Sequence, residues 1–152
     1  METFETSAKL LVVGDNVGRI DYHCPLMSLP HLTSHLWRTL PSTDSYLKVP
    51  AAAIAKWKDH FIDNGNIRVG FVCSGNPNHA NDFNRSLLMS EFLKALPVGA
   101  EYHLLQKELR DTDEAALLRH PNVFRYDNEI EDFSDTAAIC SHMDLIVSVD
   151  TS

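Results

Sequence analysis

The sequence lacks features that define several large classes of protein. It has three cysteines in 152 residues and no CxxC pair, which argues against a disulfide framework or a zinc site. No apolar run approaches the roughly 20 residues of a membrane-spanning helix. Acidic residues outnumber basic ones by 21 to 13, and the net charge of −8 argues against a general nucleic-acid surface.

Common nucleotide-binding fingerprints are also missing. No GxGxxG follows a predicted strand, and no GxxxxGK[ST] occurs, which argues against a dinucleotide binder and a P-loop ATPase. The first residues, METFETSAKLLVV, lack the basic region of a signal peptide. With cysteines that we expect to be reduced, this predicts a cytoplasmic location.

What is present is an alternation of strands and helices from Ile67 onward. The predicted strands are Ile67–Cys73, Glu101–Gln106, Val123–Tyr126 and Leu145–Val149. The predicted helices are one opened by Pro50, then Ser86–Leu96, Asp113–Arg119 and Ser134–His142. This alternation predicts an α/β fold, in which a doubly wound, Rossmann-like parallel sheet is flanked by helices.

The first third of the chain has weaker patterns. Lys9–Val13 is predicted to be a short buried strand. Ile20–Leu29 contains Pro25, so it is predicted to be an edge strand or an extended segment. Residues 30–50 are rich in Pro, Ser and Thr and are interpreted as a connector with a short helix.

Local signals also predict helix faces and caps. Ser86 is a plausible N-cap, as is Thr112 or Asp113 for the following helix. One face of the helix after Pro50 is predicted to carry Ile54, Trp57, Lys58 and Phe61.

Two predicted loops lie beyond the carboxyl ends of strands, where open α/β sheets bind ligands: Ser74–Ser86 and Asp150–Ser152. The Ser-Gly-Asn turn that opens the first loop can present backbone N–H groups to an anion. Arg85 can pair with phosphate, and Ser86 would add the positive end of a helix dipole. We expect the two loops to converge on one anion pocket.

The same residues also have ordinary structural interpretations. Ser-Gly-Asn-Pro is typical of a surface turn. Arg85 fits a surface salt bridge, Asp150 fits a helix cap, and His79 fits a solvated loop histidine. The residues alone leave both interpretations open.

Longer stretches carry a resemblance to a known family. RVGFVCSGNPNHANDFNRS resembles the opening of the donor-binding half of heptosyltransferase-like glycosyltransferases, in the branch found C-terminal to tetratricopeptide repeats in bacterial proteins. Three further stretches match in order: DYHCPLMSLP at Asp21–Pro30, LLQK at Leu104–Lys107, and DFSDTAAICSHMDLIVSVDTS at Asp132–Ser152.

The resemblance implies a GT-B architecture, in which two Rossmann-like halves enclose a nucleotide-sugar donor. Residues 1–49 would be a remnant of the N-terminal, acceptor-side half with a connector. Residues 50–152 would begin the C-terminal, donor-binding half, so the chain is expected to be a fragment of a partial GT-B domain. An uncovered sheet edge would then favour self-association.

The resemblance also implies a set of site residues and a reaction. Glycosyl transfer to an unknown glycan or protein acceptor would need no metal and no cofactor besides the donor, which is a substrate. The nearest candidates for a catalytic residue are His79 and Asp82. The donor-binding residues would be Ser74, Gly75, Asn76, Arg85, Ser86, Gln106, Lys107, Asp150, Thr151 and Ser152.

The chain departs from the family pattern at three positions. Cys73 stands where tryptophan is usual, and Ala80 and Phe83 stand where the family often has basic residues. A second hypothesis is therefore a catalytically inactive remnant that serves as a nucleotide-binding or protein-interaction module. A third is an unrelated Rossmann-like regulatory module.

Overall fold

The computed structural model describes residues 8–9, 11–32 and 47–150. The chain divides into two compact units, Met1–Lys48 and Val49–Ser152. In the described ranges, no helix is both long enough and apolar enough to cross a membrane.

In the first unit, the described residues do not form the predicted strands. Lys9–Val13 was predicted to be a buried strand, but its described residues lie outside any strand and the Val13 side chain is fully exposed. The chain turns here instead, because the Asp15 N–H donates to the Val12 carbonyl at 3.0 Å. The segment Ile20–Leu29 is irregular at first and then enters helical turns.

Those helical turns are a 3-10 turn at Leu26–Ser28 and the one-turn helix α1, Leu29–Leu32. Proline accounts for this boundary, because Pro25 precedes the 3-10 turn with a backbone φ of −59°. The predicted connector helix falls mostly in 33–46, outside the described residues.

The second unit contains the sheet and its helices. Its strands are β1 Ile67–Val72, β2 Ala100–Leu104, β3 Val123–Arg125 and β4 Leu145–Ser148. Its α-helices are α2 Ala51–Trp57, α3 Asp82–Arg85, α4 Met89–Ala95, α5 Asp111–Leu117 and α6 Phe133–Cys140. The predicted alternation of the four strands with helices is confirmed, with the addition of α3, a single turn inside the predicted loop Ser74–Ser86.

The four strands form one parallel sheet in the order β3-β2-β1-β4. The chain therefore moves outward from β1 to β2 and β3, and then returns to the other side of β1 for β4. This reversal is the topological switch point of an open α/β sheet. The predicted α/β fold, a parallel Rossmann-like sheet with flanking helices, is confirmed.

Successive side chains of β1 point to opposite sides, which gives the sheet two apolar faces, and helices cover both of them. On one face, Val69, Phe71 and Cys73 pack against α4 and α5. On the other face, Trp57 of α2 and Ile139 of α6 join a second buried cluster. Both layers are apolar, as a buried parallel sheet requires.

Three local predictions were wrong. Ser86 does not cap α4, because residues 86–88 are extended and the Leu87 N–H donates to the Cys73 carbonyl at 2.7 Å. Helix α5 starts before the predicted cap, and Asp113 instead accepts the Arg110 N–H at 3.0 Å. The side chain of Ile54 is 41% exposed, since Ala53 takes the inward position beside Trp57.

A buried carboxylate joins α2 to α6. Asp135 accepts hydrogen bonds from Trp57 Nε1 at 2.7 Å, from Lys56 Nζ at 2.9 Å and from the Glu131 N–H at 2.9 Å. Burial alone would raise the pKa of Asp135, but these hydrogen bonds outweigh it and hold the pKa at about 2. The ionised form therefore stabilises the contact between the two helices.

The backbone of β1 lies unusually close to its neighbours at Gly70. A Cβ at this position would stand 2.8 Å from Leu105 Cδ1 and 3.0 Å from Met143 Cγ. Glycine is therefore required by space and not by a left-handed backbone.

We expect Gly70→Val to destabilise the protein by about 1–3 kcal/mol, because the added methyls overpack this face. Gly70→Ala should cost less than Gly70→Val, since it adds one methyl, although Leu105 and Met143 must still shift to make room for it. Thermal or urea unfolding measures both, with Ser148→Val on the exposed strand β4 as the control. Equal stability of Gly70→Val and the wild type would contradict the close packing.

We expect Asp135 to make folding stability depend on acid pH. Its folded pKa of about 2 lies below the unfolded value of about 3.9, so its contribution is complete above pH 4 and is lost as pH falls toward 2. Asp135→Asn should remove the contribution of Asp135 to this slope, which makes the slope smaller, and lower stability at neutral pH by about 1–3 kcal/mol. Urea unfolding between pH 2 and pH 7 measures it, and Asp59→Asn, exposed near the end of α2, should keep the slope.

Candidate functional site

The candidate site lies at the carboxyl edge of the sheet, beside the switch point. Strands β1 and β4 are adjacent and parallel, so the loops that follow them leave the sheet side by side. The Val149 N–H still donates to the Val72 carbonyl at 3.0 Å, which continues the pairing to the edge. Open α/β sheets bind ligands in such a crevice.

Arg85 bridges the two loops. Its Nε donates to the Asp150 carbonyl at 2.6 Å, which links the end of α3 to the second residue after β4. Its terminal nitrogens, Nη1 and Nη2, have no acceptor among residues 8–9, 11–32 and 47–150. The structure therefore places a guanidinium with unused donors between the loops that the sequence analysis singled out.

Gln106 holds the ends of β1 and β2 together. Its Oε1 accepts the Cys73 and Ser74 N–H groups, both at 3.1 Å. Its Nε2 donates to Ser74 Oγ at 2.8 Å and to the Glu108 carbonyl at 3.1 Å. Gln106 is buried, so this predicted donor-binding residue serves the scaffold of the edge.

A second set of hydrogen bonds closes the loop after β1. The Gly75 N–H donates to Ser86 Oγ at 3.0 Å, and the Ser86 hydroxyl donates to Asp82 Oδ1 at 2.6 Å. Arg110 Nη2 lies 2.8 and 2.9 Å from the two Asp82 oxygens and 3.1 Å from the Gly75 carbonyl. We call these four residues the loop ring.

The two candidate catalytic residues have different environments. The hydrogen bond from Ser86, together with Arg110 and the nearby charge of Arg85, holds the pKa of Asp82 below its ordinary value. Asp82 is therefore an ionised, engaged carboxylate and a weak proton acceptor. His79 is exposed, and its Nδ1 accepts the Asn81 N–H at 3.2 Å.

The remaining predicted site residues make local or other contacts or lie outside the described residues. Asn76 is exposed, and its Oδ1 accepts the Asn78 N–H at 2.9 Å in a local turn. Lys107 follows β2, but its Nζ donates to the Glu131 carbonyl at 2.6 Å, on the side of β3. Thr151 and Ser152 lie outside the described residues.

Arg110 is a basic residue of this edge that was not among the predicted site residues. It lies in the loop after β2, directly before α5, and therefore at the same carboxyl edge. The rule that selected Ser74–Ser86 also applies to this loop. A basic residue there, after a predicted strand and before a predicted helix, was the available signal.

Comparison with known proteins adds no relative. The chain matches no protein-family model, no curated protein and no solved structure. Inferences about its function therefore depend on the resemblance in the sequence and on the geometry of this edge.

We expect Gln106→Leu to destabilise the protein by about 1–3 kcal/mol, because it leaves the buried N–H groups of Cys73 and Ser74 without their acceptor. Thermal unfolding measures the change. Glu108→Leu, an apolar replacement two residues away at an exposed position, is the control and should be nearly neutral. Equal melting temperatures for the two variants would rule out this role for Gln106.

Proposed function

We propose that the crevice between the loops after β1 and β4 binds a nucleotide-sugar donor through its diphosphate. The domain would be the donor-binding part of a metal-independent glycosyltransferase of GT-B type. The resemblance of Val69–Ser86 and Asp132–Ser152 to heptosyltransferase-like enzymes supports this proposal. The bacterial, tetratricopeptide-repeat setting and the cytoplasmic location stay predictions.

The observation that carries the proposal is the position of Arg85. A planar guanidinium can donate two parallel hydrogen bonds to phosphate oxygens. The Arg85 Nε is held by the Asp150 carbonyl, which orients the group, while its terminal nitrogens have no acceptor in the described part of the chain. Because the protein has a net charge of −8, this cation is a local feature and not part of a general basic surface. It therefore favours binding of an anionic ligand at this one place.

In glycosyl transfer, an acceptor hydroxyl attacks the anomeric carbon of the donor sugar. The bond from that carbon to the phosphate oxygen breaks, and the nucleoside diphosphate leaves with the negative charge. Arg85 would stabilise this charge as it develops, which is the role of a preorganised cation in catalysis without a metal. The acceptor proton must pass to a base.

A second candidate function is nucleotide binding without catalysis, with a protein-interaction role as its variant. The contacts of Asp82 favour this second candidate, because Ser86 and Arg110 already donate hydrogen bonds to the carboxylate that could have served as a base. A turnover assay discriminates the two functions. Release of nucleoside diphosphate from the donor supports transfer or hydrolysis, whereas binding without release supports the second candidate.

We expect Arg85→Ala to weaken binding of a nucleoside diphosphate by about tenfold or more, since a hydrogen bond to a charged group contributes about 1.5–3 kcal/mol. Calorimetric titration of the full chain with UDP, GDP and ADP measures the affinity. Arg119→Ala is the matched control, because it removes the same charge from an exposed position near the end of α5.

Two results would contradict the proposal. One is the absence of binding or thermal stabilisation by any nucleoside diphosphate or nucleotide sugar. The other is an equal loss of affinity in Arg85→Ala and Arg119→Ala, which would assign the effect to net charge.

A further inference from the structure

We propose that Arg110 is a positioning residue of the candidate site. It holds the loop between Gly75 and Ser86 and thereby sets where the Arg85 guanidinium lies. The effect on ligand binding rests on the proposed function, whereas the effect on the loop does not.

The loop ring closes the loop that follows β1. Gly75 stands at the start of the loop and Ser86 at its end, and they bond directly through the Gly75 N–H and Ser86 Oγ. Arg110 contacts the loop at three places: the Gly75 carbonyl, the Asp82 carboxylate and Ser86 Oγ, the last at 3.2 Å. One guanidinium nitrogen therefore ties the beginning, the middle and the end of the loop.

Arg110 is itself fixed from outside the loop. Its backbone N–H donates to Asp113, a carboxylate that is only 3% exposed at the start of α5. Helix α5 buries Ala116 and Leu117 in the sheet core. Arg110 thus connects a surface loop to the packed framework, which is what a positioning residue must do.

Helix α3 connects the loop ring to Arg85. Helix α3 is a single turn, Asp82–Arg85, and the Ser86 N–H closes it on the Asp82 carbonyl at 2.9 Å. Arg85 therefore lies between two ring residues along the chain. The loop ring on one side and the bond from the Leu87 N–H to the Cys73 carbonyl on the other hold α3 where the Arg85 Nε reaches Asp150.

One terminal nitrogen of Arg110 is committed to the loop. Its Nη2 is already shared by Asp82, Gly75 and Ser86, and its Nε is buried without a partner among the described residues. Its side chain is 29% exposed. Because this nitrogen is committed to the loop, we expect Arg110 to act on a bound anion through the loop, and the tests below distinguish this from direct contact by its other nitrogens.

The first test is amide hydrogen exchange of the full chain without ligand. Arg110→Ala should speed exchange in peptides that cover Gly75–Ser86 by about tenfold or more, while peptides of β1 and β2 keep their protection. Arg125→Ala is a matched control, because that side chain is 30% exposed and pairs with Glu114 and Asp127 elsewhere. It should leave the loop unchanged.

The second test is a double-mutant cycle on the affinity for UDP, or for whichever nucleoside diphosphate binds most tightly. If Arg110 acts by placing Arg85, Arg110→Ala should weaken binding about tenfold in the wild type and have little effect when Arg85 is already alanine. A purely structural or direct charge effect would give additive losses.

The outcomes separate the two proposals. Unchanged loop exchange in Arg110→Ala, or additive losses in the cycle, overturns the positioning role. Absence of any diphosphate binding overturns the proposed function, and the exchange experiment then decides about Arg110. If Arg110→Ala does not fold, Arg110→Lys replaces it, because lysine keeps the charge but cannot make all three contacts, and it should loosen the loop to a smaller degree.

Discussion

The parallel pairing of β1 with both β2 and β4 is the constraint on which the rest of this structure depends. Strands that run in one direction end at one edge, so every loop that follows a strand begins there. Helices must return the chain to the opposite edge, and they bury both faces of the sheet. The reversal of direction at β1 then opens a crevice between two loops that are far apart in sequence.

Within that crevice, polar groups are satisfied mostly by one another. The backbone N–H groups of Ser74 and Gly75, predicted to cradle an anion, donate to Gln106 and Ser86. The group that this edge offers a ligand is therefore mainly a side-chain cation, and not a set of free backbone amides. Arg85 supplies that cation, and an ionised Asp82 between Arg85 and Arg110 keeps the local positive charge small.

Much of the fold followed from patterns in the sequence, and much of the site did not. The strands were predicted because short apolar runs bounded by Gly, Pro and Asn are strong local signals. The strand at Lys9–Val13 failed because an apolar run says nothing about whether a partner strand exists. Ser86 does not act as a cap, because the Leu87 N–H donates to the carbonyl of Cys73, distant in sequence, and this bond keeps the chain extended there.

Local chemistry along the chain was sufficient to establish the α/β class, the order of the elements and the two loops worth examining, because periodicity and turn residues act over a few neighbours. It could not establish that β4 lies beside β1, that Gln106 is internal scaffold, or that Arg110 holds the loop ring. The paired residues of β1 and β4 are 76 positions apart, and Arg110 and Ser86 of the loop ring are 24 apart. Such contacts arise only when the folded sheet brings separate loops to one edge, where geometry decides which donor meets which acceptor.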